Sequence, residues 1–193
     1  MSTKNRILSA ASALFADDGY DAATIRKVAA SVGIKESSLY NHFSSKRDLF
    51  AAVLKFQEGL LSEKLASFRN EPLGSPFTDE TSAQVAVAVA GALRIAIFFH
   101  TDPTAVTYRR LLRVNLHRDV IFRDKLKRFF QDEPLSLIAS IIAQAVPLVR
   151  QLTDLEITGF IATIGHLIET HGQAAAEPQI RALTRNLRDR LVE

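Results

Sequence analysis

Residues 19–50 read GYDAATIRKVAASVGIKESSLYNHFSSKRDLF, and the spacing of small, apolar and polar residues in this stretch decides the fold. Thr24 is placed to cap a short helix in which Ile25, Val28 and Ala29 share one face. Gly33 ends that helix, because glycine tolerates the backbone angles a tight turn needs. A second short helix follows, with Leu39 and Phe43 four residues apart on one side. Small Ala29 and Ala30 allow the two helices to approach, and Val28, Ile34 and Leu39 lock them together, which describes a helix-turn-helix. The second helix turns Ser37, Ser38, Tyr40, Asn41 and His42 outward. Such groups reach base edges or phosphates in a major groove.

Outward from this stretch the pattern is helical throughout. Upstream, Ile7, Leu8, Ala11, Leu14 and Phe15 form one face of a first helix that Gly19 stops. Downstream, Ser45-x-x-Asp48 marks the start of a longer helix running to about Phe68, with Leu49, Phe50, Val53, Leu54 and Leu61 on its apolar side. Pro72, Gly74 and Pro76 make Asn70–Ser82 the best linker in the chain. Thr81-x-x-Gln84 then opens an apolar helix, and Asp102-Pro103 ends it and begins the next, whose pattern continues to about Phe130. Glu133-Pro134 starts another helix, which Pro147 is expected to kink. Thr153-x-x-Glu156 is a capping box for a helix ending near Gly172, and Pro178 is expected to open the last one. No alternating strand pattern occurs, so the expected class is all-α with about nine helices. The expected division is a three-helix helix-turn-helix DNA-binding domain over residues 1–48 and a helical ligand-binding and dimerisation domain over 49–193.

Composition narrows the possibilities. The 193 residues are 47% hydrophobic and 23% charged with a net charge of +3, ordinary for a globular chain and permissive for nucleic-acid binding. The absence of cysteine excludes disulfides, thiolate catalysis and cysteine-ligated zinc. No apolar signal core follows the polar start, and the apolar run Val85–Phe99, interrupted by Arg94, is shorter than the roughly 20 residues a membrane span needs. A cytoplasmic protein without a membrane partner, cofactor or metal is the expectation.

The stretch quoted above resembles the DNA-binding domain of the tetracycline-repressor (TetR) family. The likeness rests on Gly19-Tyr20, Thr24-Ile25, Val28-Ala29, Val32-Gly33-Ile34, Leu39-Tyr40, His42-Phe43 and Ser45-Lys46, and covers about the first quarter of the chain. The rest resembles the family only in length and helical character. The resemblance implies that Tyr40 and His42 touch the DNA backbone or nearby bases, that Lys46 meets a phosphate, and that Thr24 binds phosphate at a helix N-terminus, where anions are favoured. Arg26, Lys35, Ser37, Ser38 and Asn41 become the specificity positions. Lys35 departs from the family, which often has Ser or Thr there as the cap of the recognition helix. Lysine cannot accept a capping bond, a loss of about 1 kcal/mol, so Lys35 is expected to meet a phosphate or a guanine edge instead.

In the second half, Arg94, Phe98, Tyr108, Leu112, Asn115 and Phe122 are candidates to line an effector pocket between helices. A buried Arg94 head would demand an anion, which suits an amphipathic acid; the alternative is an arginine reaching solvent or pairing with a carboxylate. Ile157, Phe160, Ile161, Ile164 and Ile168 form one stripe, expected at a homodimer interface together with the helix from Leu135, the alternative being burial within one subunit. Two subunits would read two half-sites roughly 34 Å apart. The expected function is a ligand-responsive transcriptional regulator, a repressor released from double-stranded operator DNA by a small-molecule effector. The alternatives are a helical DNA-binding protein without ligand control, or a helical enzyme. Catalysis is not expected, because no Gly-x-Ser-x-Gly, His-x-x-x-His pair, phosphate-binding glycine loop or thiol is present.

Overall fold

Capping chemistry sets the helix starts in the computed structural model, which describes residues 2–70, 81–145 and 152–192. The helices are α1 (Thr3–Ala22), α2 (Ile25–Val32), α3 (Glu36–Tyr40), α4 (Lys46–Asn70), α5 (Thr81–Thr101), α6 (Pro103–Val114), α7 (Val120–Lys127), α8 (Glu133–Ala145), α9 (Asp154–His171) and α10 (Gln173–Val192). A π-turn, Arg128–Asp132, joins α7 to α8 without a break. Among the described residues this makes nine helical rods, α1 being kinked at Gly19 (φ 75°), and no strand occurs. Ser2 caps α1 by accepting from the Asn5 N–H at 3.2 Å. The Thr153 hydroxyl accepts from the Glu156 N–H at 3.3 Å while the Glu156 carboxylate accepts from the Thr153 N–H at 2.9 Å, the expected capping box. Pro103 opens α6, where its missing N–H costs nothing. Asn70 closes α4 and Thr81 opens α5; the remainder of the expected linker, residues 71–80, and the expected kink at Pro147 lie outside the described residues.

Pro178 does not open the last helix. α10 starts at Gln173, directly after Gly172, whose φ of 76° ends α9 and whose carbonyl accepts from Ala176 at 3.0 Å. The Ala174–Ala176 run favours helix strongly enough, with Ala176 fully buried, to carry a proline five residues in.

Packing divides the chain into two compact units. Unit 1 comprises Met1–Leu65 and Pro103–Leu126, so α6 and α7 pack with the helix-turn-helix and most of α4. α6 lies along α1, tied by an Arg110–Asp17 ion pair at 2.7 Å. Phe15 and Phe50 meet edge to face at 4.9 Å, and Phe122 lies 6.0 Å from Phe50.

Unit 2 comprises Ala66–Asp102 and Lys127–Glu193. Within it α5 packs against α8, α9 and α10. Ala83–Thr101 is long and apolar enough to cross a membrane by length and composition (19 residues, mean hydropathy 1.7), a correction to the sequence reading, since one arginine does not lower the average enough. Its Val85, Ala88, Val89, Ala92, Ile95, Ala96 and Phe99 are nevertheless buried, as in a core helix. The stripe expected at a dimer interface is also used internally. Ile157, Phe160, Ile164 and Ile168 are buried within the single chain and Ile161 is half-buried, because this face of α9 packs on α5, α8 and α10.

Candidate nucleic-acid interface

The turn between α2 and α3 is built as its sequence requires. Thr24 caps α2 by accepting from the Lys27 N–H at 3.2 Å. At the other end Gly33 adopts the left-handed conformation (φ 74°, ψ 34°). Its N–H donates to Ala30 at 3.1 Å, and the Ile34 N–H donates to Ala29 at 3.0 Å. Arg6 of α1 donates to the Val32 carbonyl at 3.0 Å, satisfying another acceptor at this helix end. Lys35 precedes α3 and makes no side-chain capping bond. α3 has only five residues, far too few to be helical alone. Leu39 and Phe43, both buried, hold it in place.

This anchoring fixes what faces outward. Ser37, Tyr40, Asn41 and His42 are exposed, Tyr40 at 51%, and Ser38 is half-buried. Thr24, Arg26 and Lys35 are exposed as well. Lys46 is half-buried at the start of α4, its ammonium donating to the Asp21 carbonyl at 3.1 Å and lying 4.6 Å from the Tyr20 ring centre. The α4 terminus is itself secured. Ser45 accepts from the Asp48 N–H at 3.0 Å, and the Asp48 carboxylate accepts from the Ser44 N–H at 2.9 Å. Unit 1 therefore holds all nine expected DNA-facing residues, with Ile25, Val28, Ala29, Val32 and Leu39 turned inward; Ala30, expected at the helix contact, is exposed, because it lies on the opposite side of α2 from Val28.

The six expected effector residues are divided between the units: Arg94 and Phe98 in unit 2, and Tyr108, Leu112, Asn115 and Phe122 in unit 1. Arg94 is exposed, its guanidinium 5.5 Å from the Phe68 ring centre, so the argument that a buried head demands an anionic ligand does not apply. Phe98 is half-buried, 5.0 Å from Phe68 and 5.3 Å from Phe99. Tyr108 and Leu112 are fully buried. Asn115 is committed at both ends of its amide. It accepts from the Tyr20 N–H at 3.2 Å and donates to the Leu111 carbonyl at 2.8 Å, so its role is to join α6 to the end of α1. Gln57 of α4 escaped the sequence reading: it is 5% exposed, and its side-chain oxygen has no hydrogen-bond partner among the described residues. α4 is rich in charged residues, so a glutamine within it gave no signal.

Comparison with known proteins agrees with this geometry. Residues 7–53 match the model of "Bacterial regulatory proteins, tetR family". The biofilm operon icaADBC HTH-type negative transcriptional regulator IcaR of Staphylococcus aureus is 42% identical over 52 residues, 27% of this chain and 28% of IcaR, so the match spans little more than a quarter of that relative. Over nearly the whole chain the fold resembles a TetR-family transcriptional regulator from Agrobacterium tumefaciens (TM-score 0.60, 20% identity, 97% and 96% of the two chains). It also resembles a gamma-butyrolactone receptor described as ArpA-like (TM-score 0.58, 18% identity, 97% and 96%). Residues 7–53 thus match the DNA-binding domain of the tetR family of bacterial regulatory proteins, and the chain as a whole shares the fold of solved regulators of that family.

Proposed function

We propose that this protein is a homodimeric repressor that binds duplex operator DNA through α2 and α3 and is released by a small-molecule effector. The observation carrying the reading is the sorting of α3 and the turn after it, where Leu39 and Phe43 are buried while Ser37, Tyr40, Asn41 and His42 are exposed beside Lys46. Selection of bound duplexes from random sequence should return a two-fold symmetric site. Anisotropy titration should give a steep fall of affinity with salt, as expected when lysines and arginines displace counterions from phosphate. A pool that never enriches would end the proposal.

The dimer surface favoured by the packing is the outward face of α9. Leu155 is 81% exposed there, and Thr158, Gly159, Ala162 and His166 are exposed along the same side. A Cβ added at Gly159 meets nothing within 4 Å in this subunit, and such small positions let a second helix approach closely. Ala162→Arg is expected to convert dimers to monomers in light scattering and to weaken operator binding at least tenfold, while leaving the melting of each subunit nearly unchanged. A dimer that survives the substitution would move the interface elsewhere.

Effector control is supported by the gamma-butyrolactone receptor that shares the fold, and by Gln57. A buried acceptor without a donor costs roughly 1–3 kcal/mol, and a ligand N–H or O–H would relieve that cost. Small molecules that release the protein from DNA should typically change its affinity by about 5- to 150-fold. Gln57→Met should weaken the response to an effector that bonds this amide.

A further inference from the structure

On the reading that α3 and Lys46 meet DNA, we infer that Arg118 and Asp21, both outside the helix-turn-helix, are positioning residues that present the Lys46 ammonium to a phosphate.

Gly19, with a φ of 75°, breaks α1 and turns the chain, which places Tyr20 and Asp21 at a corner beside the start of α4. Four side chains hold that corner. Asn115, fully buried at the end of α6, fixes the Tyr20 backbone through the N–H bond at 3.2 Å. Arg118, in the turn between α6 and α7, donates from one terminal nitrogen to both Asp21 carboxylate oxygens at 2.8 and 2.9 Å. The same guanidinium lies 4.1 Å from the Tyr20 ring centre. Phe15 and Phe50 brace that ring at 6.0 and 4.9 Å.

Lys46 depends on this corner twice. Its ammonium donates to the Asp21 carbonyl and sits against the Tyr20 ring. Two cations thus share one aromatic ring, an arrangement in which each repels the other. The Asp21 carboxylate on Arg118 and the Asp21 carbonyl on Lys46 offset that repulsion and keep the charges apart. An ammonium has three donors, so with one on Asp21 the others remain for a phosphate. Asp21 places a negative charge beside a surface that must approach a polyanion, which simple charge complementarity disfavours. Holding Arg118, and through it the corner that aims Lys46, accounts for its presence.

Asp21→Asn separates this account from plain electrostatics, because removing a negative charge beside DNA should by itself tighten binding. The positioning account expects the opposite, a loss of roughly threefold per half-site and about tenfold for a two-site operator, on the scale of a partly exposed ion pair. Arg118→Ala should give a similar loss, and the double variant no more than either alone. In both single variants the slope of log affinity against log salt should fall toward that of Lys46→Ala, since each would weaken the bond between Lys46 and phosphate. The Asp21 side chain is 75% exposed, so melting temperatures should hardly move. Tighter or equal binding by Asp21→Asn, losses that multiply in the double variant, or weaker binding with an unchanged salt slope would each overturn the inference. Failure of the wild-type protein to bind any selected duplex would instead sink the DNA-binding reading on which it rests.

Discussion

Leu39→Ala is expected to destabilise unit 1 by about 2–5 kcal/mol and to abolish operator binding, although Leu39 touches no DNA. The side chain is fully buried and belongs to a five-residue helix that cannot persist without its apolar anchor. The neighbouring substitution Tyr40→Ala makes the contrast, because Tyr40 is 51% exposed and should change stability by less than about 0.5 kcal/mol. Its effect should fall on DNA affinity alone. The chain supplies its own reporter: it has three tyrosines and no tryptophan, and Tyr20, Tyr40 and Tyr108 all belong to unit 1. Urea titration followed by tyrosine fluorescence therefore reads this unit, and for Leu39→Ala its midpoint should fall sharply. An unshifted midpoint would mean that α3 is held by something other than its apolar side.

Phe15→Ala should cost still more, about 3–5 kcal/mol, a large share of the 5–15 kcal/mol that keeps a typical domain folded. Phe15 is 1% exposed and sits where α1, α4 and the Gly19 corner meet, against Phe50 and Tyr20. Its removal leaves a cavity beside the Tyr20 and Phe50 rings and loosens the ring on which Lys46 and Arg118 rest. Melting followed by tyrosine fluorescence should show unit 1 unfolding first, with operator affinity lost before any heat is applied. A variant that melts and binds like the wild type would contradict the packing described for α1.

What could be read from the sequence was local chemistry. Thr24, Gly33 and the Thr153–Glu156 pair act through bonds spanning only a few residues, so their spacing revealed them. The sorting of α3 was legible for the same reason, since Leu39 and Phe43 lie one helical turn apart. Lys35 could be recognised as an unusual cap because the position demands an acceptor that lysine lacks. Tertiary choices were not legible. The isoleucine stripe of α9 announces burial but not which surface covers it, and this chain covers it with its own helices. Asn115 read as a pocket residue because it is polar among apolar neighbours, yet its partner is the Tyr20 N–H, 95 positions away. Asp21, Arg118 and Gln57 carry no motif at all. Pro178 misled because proline usually marks a helix start, whereas the alanines before it extend α10 back to Gly172.

The central claim is that α3 presents Tyr40 to duplex DNA while Leu39 stays inside. The most direct test is the affinity of wild-type protein and Tyr40→Ala for a selected duplex, measured by anisotropy at one salt concentration, with urea midpoints measured alongside. The account predicts at least a tenfold loss of affinity for Tyr40→Ala with an unchanged midpoint. Equal affinities for the two proteins would contradict it.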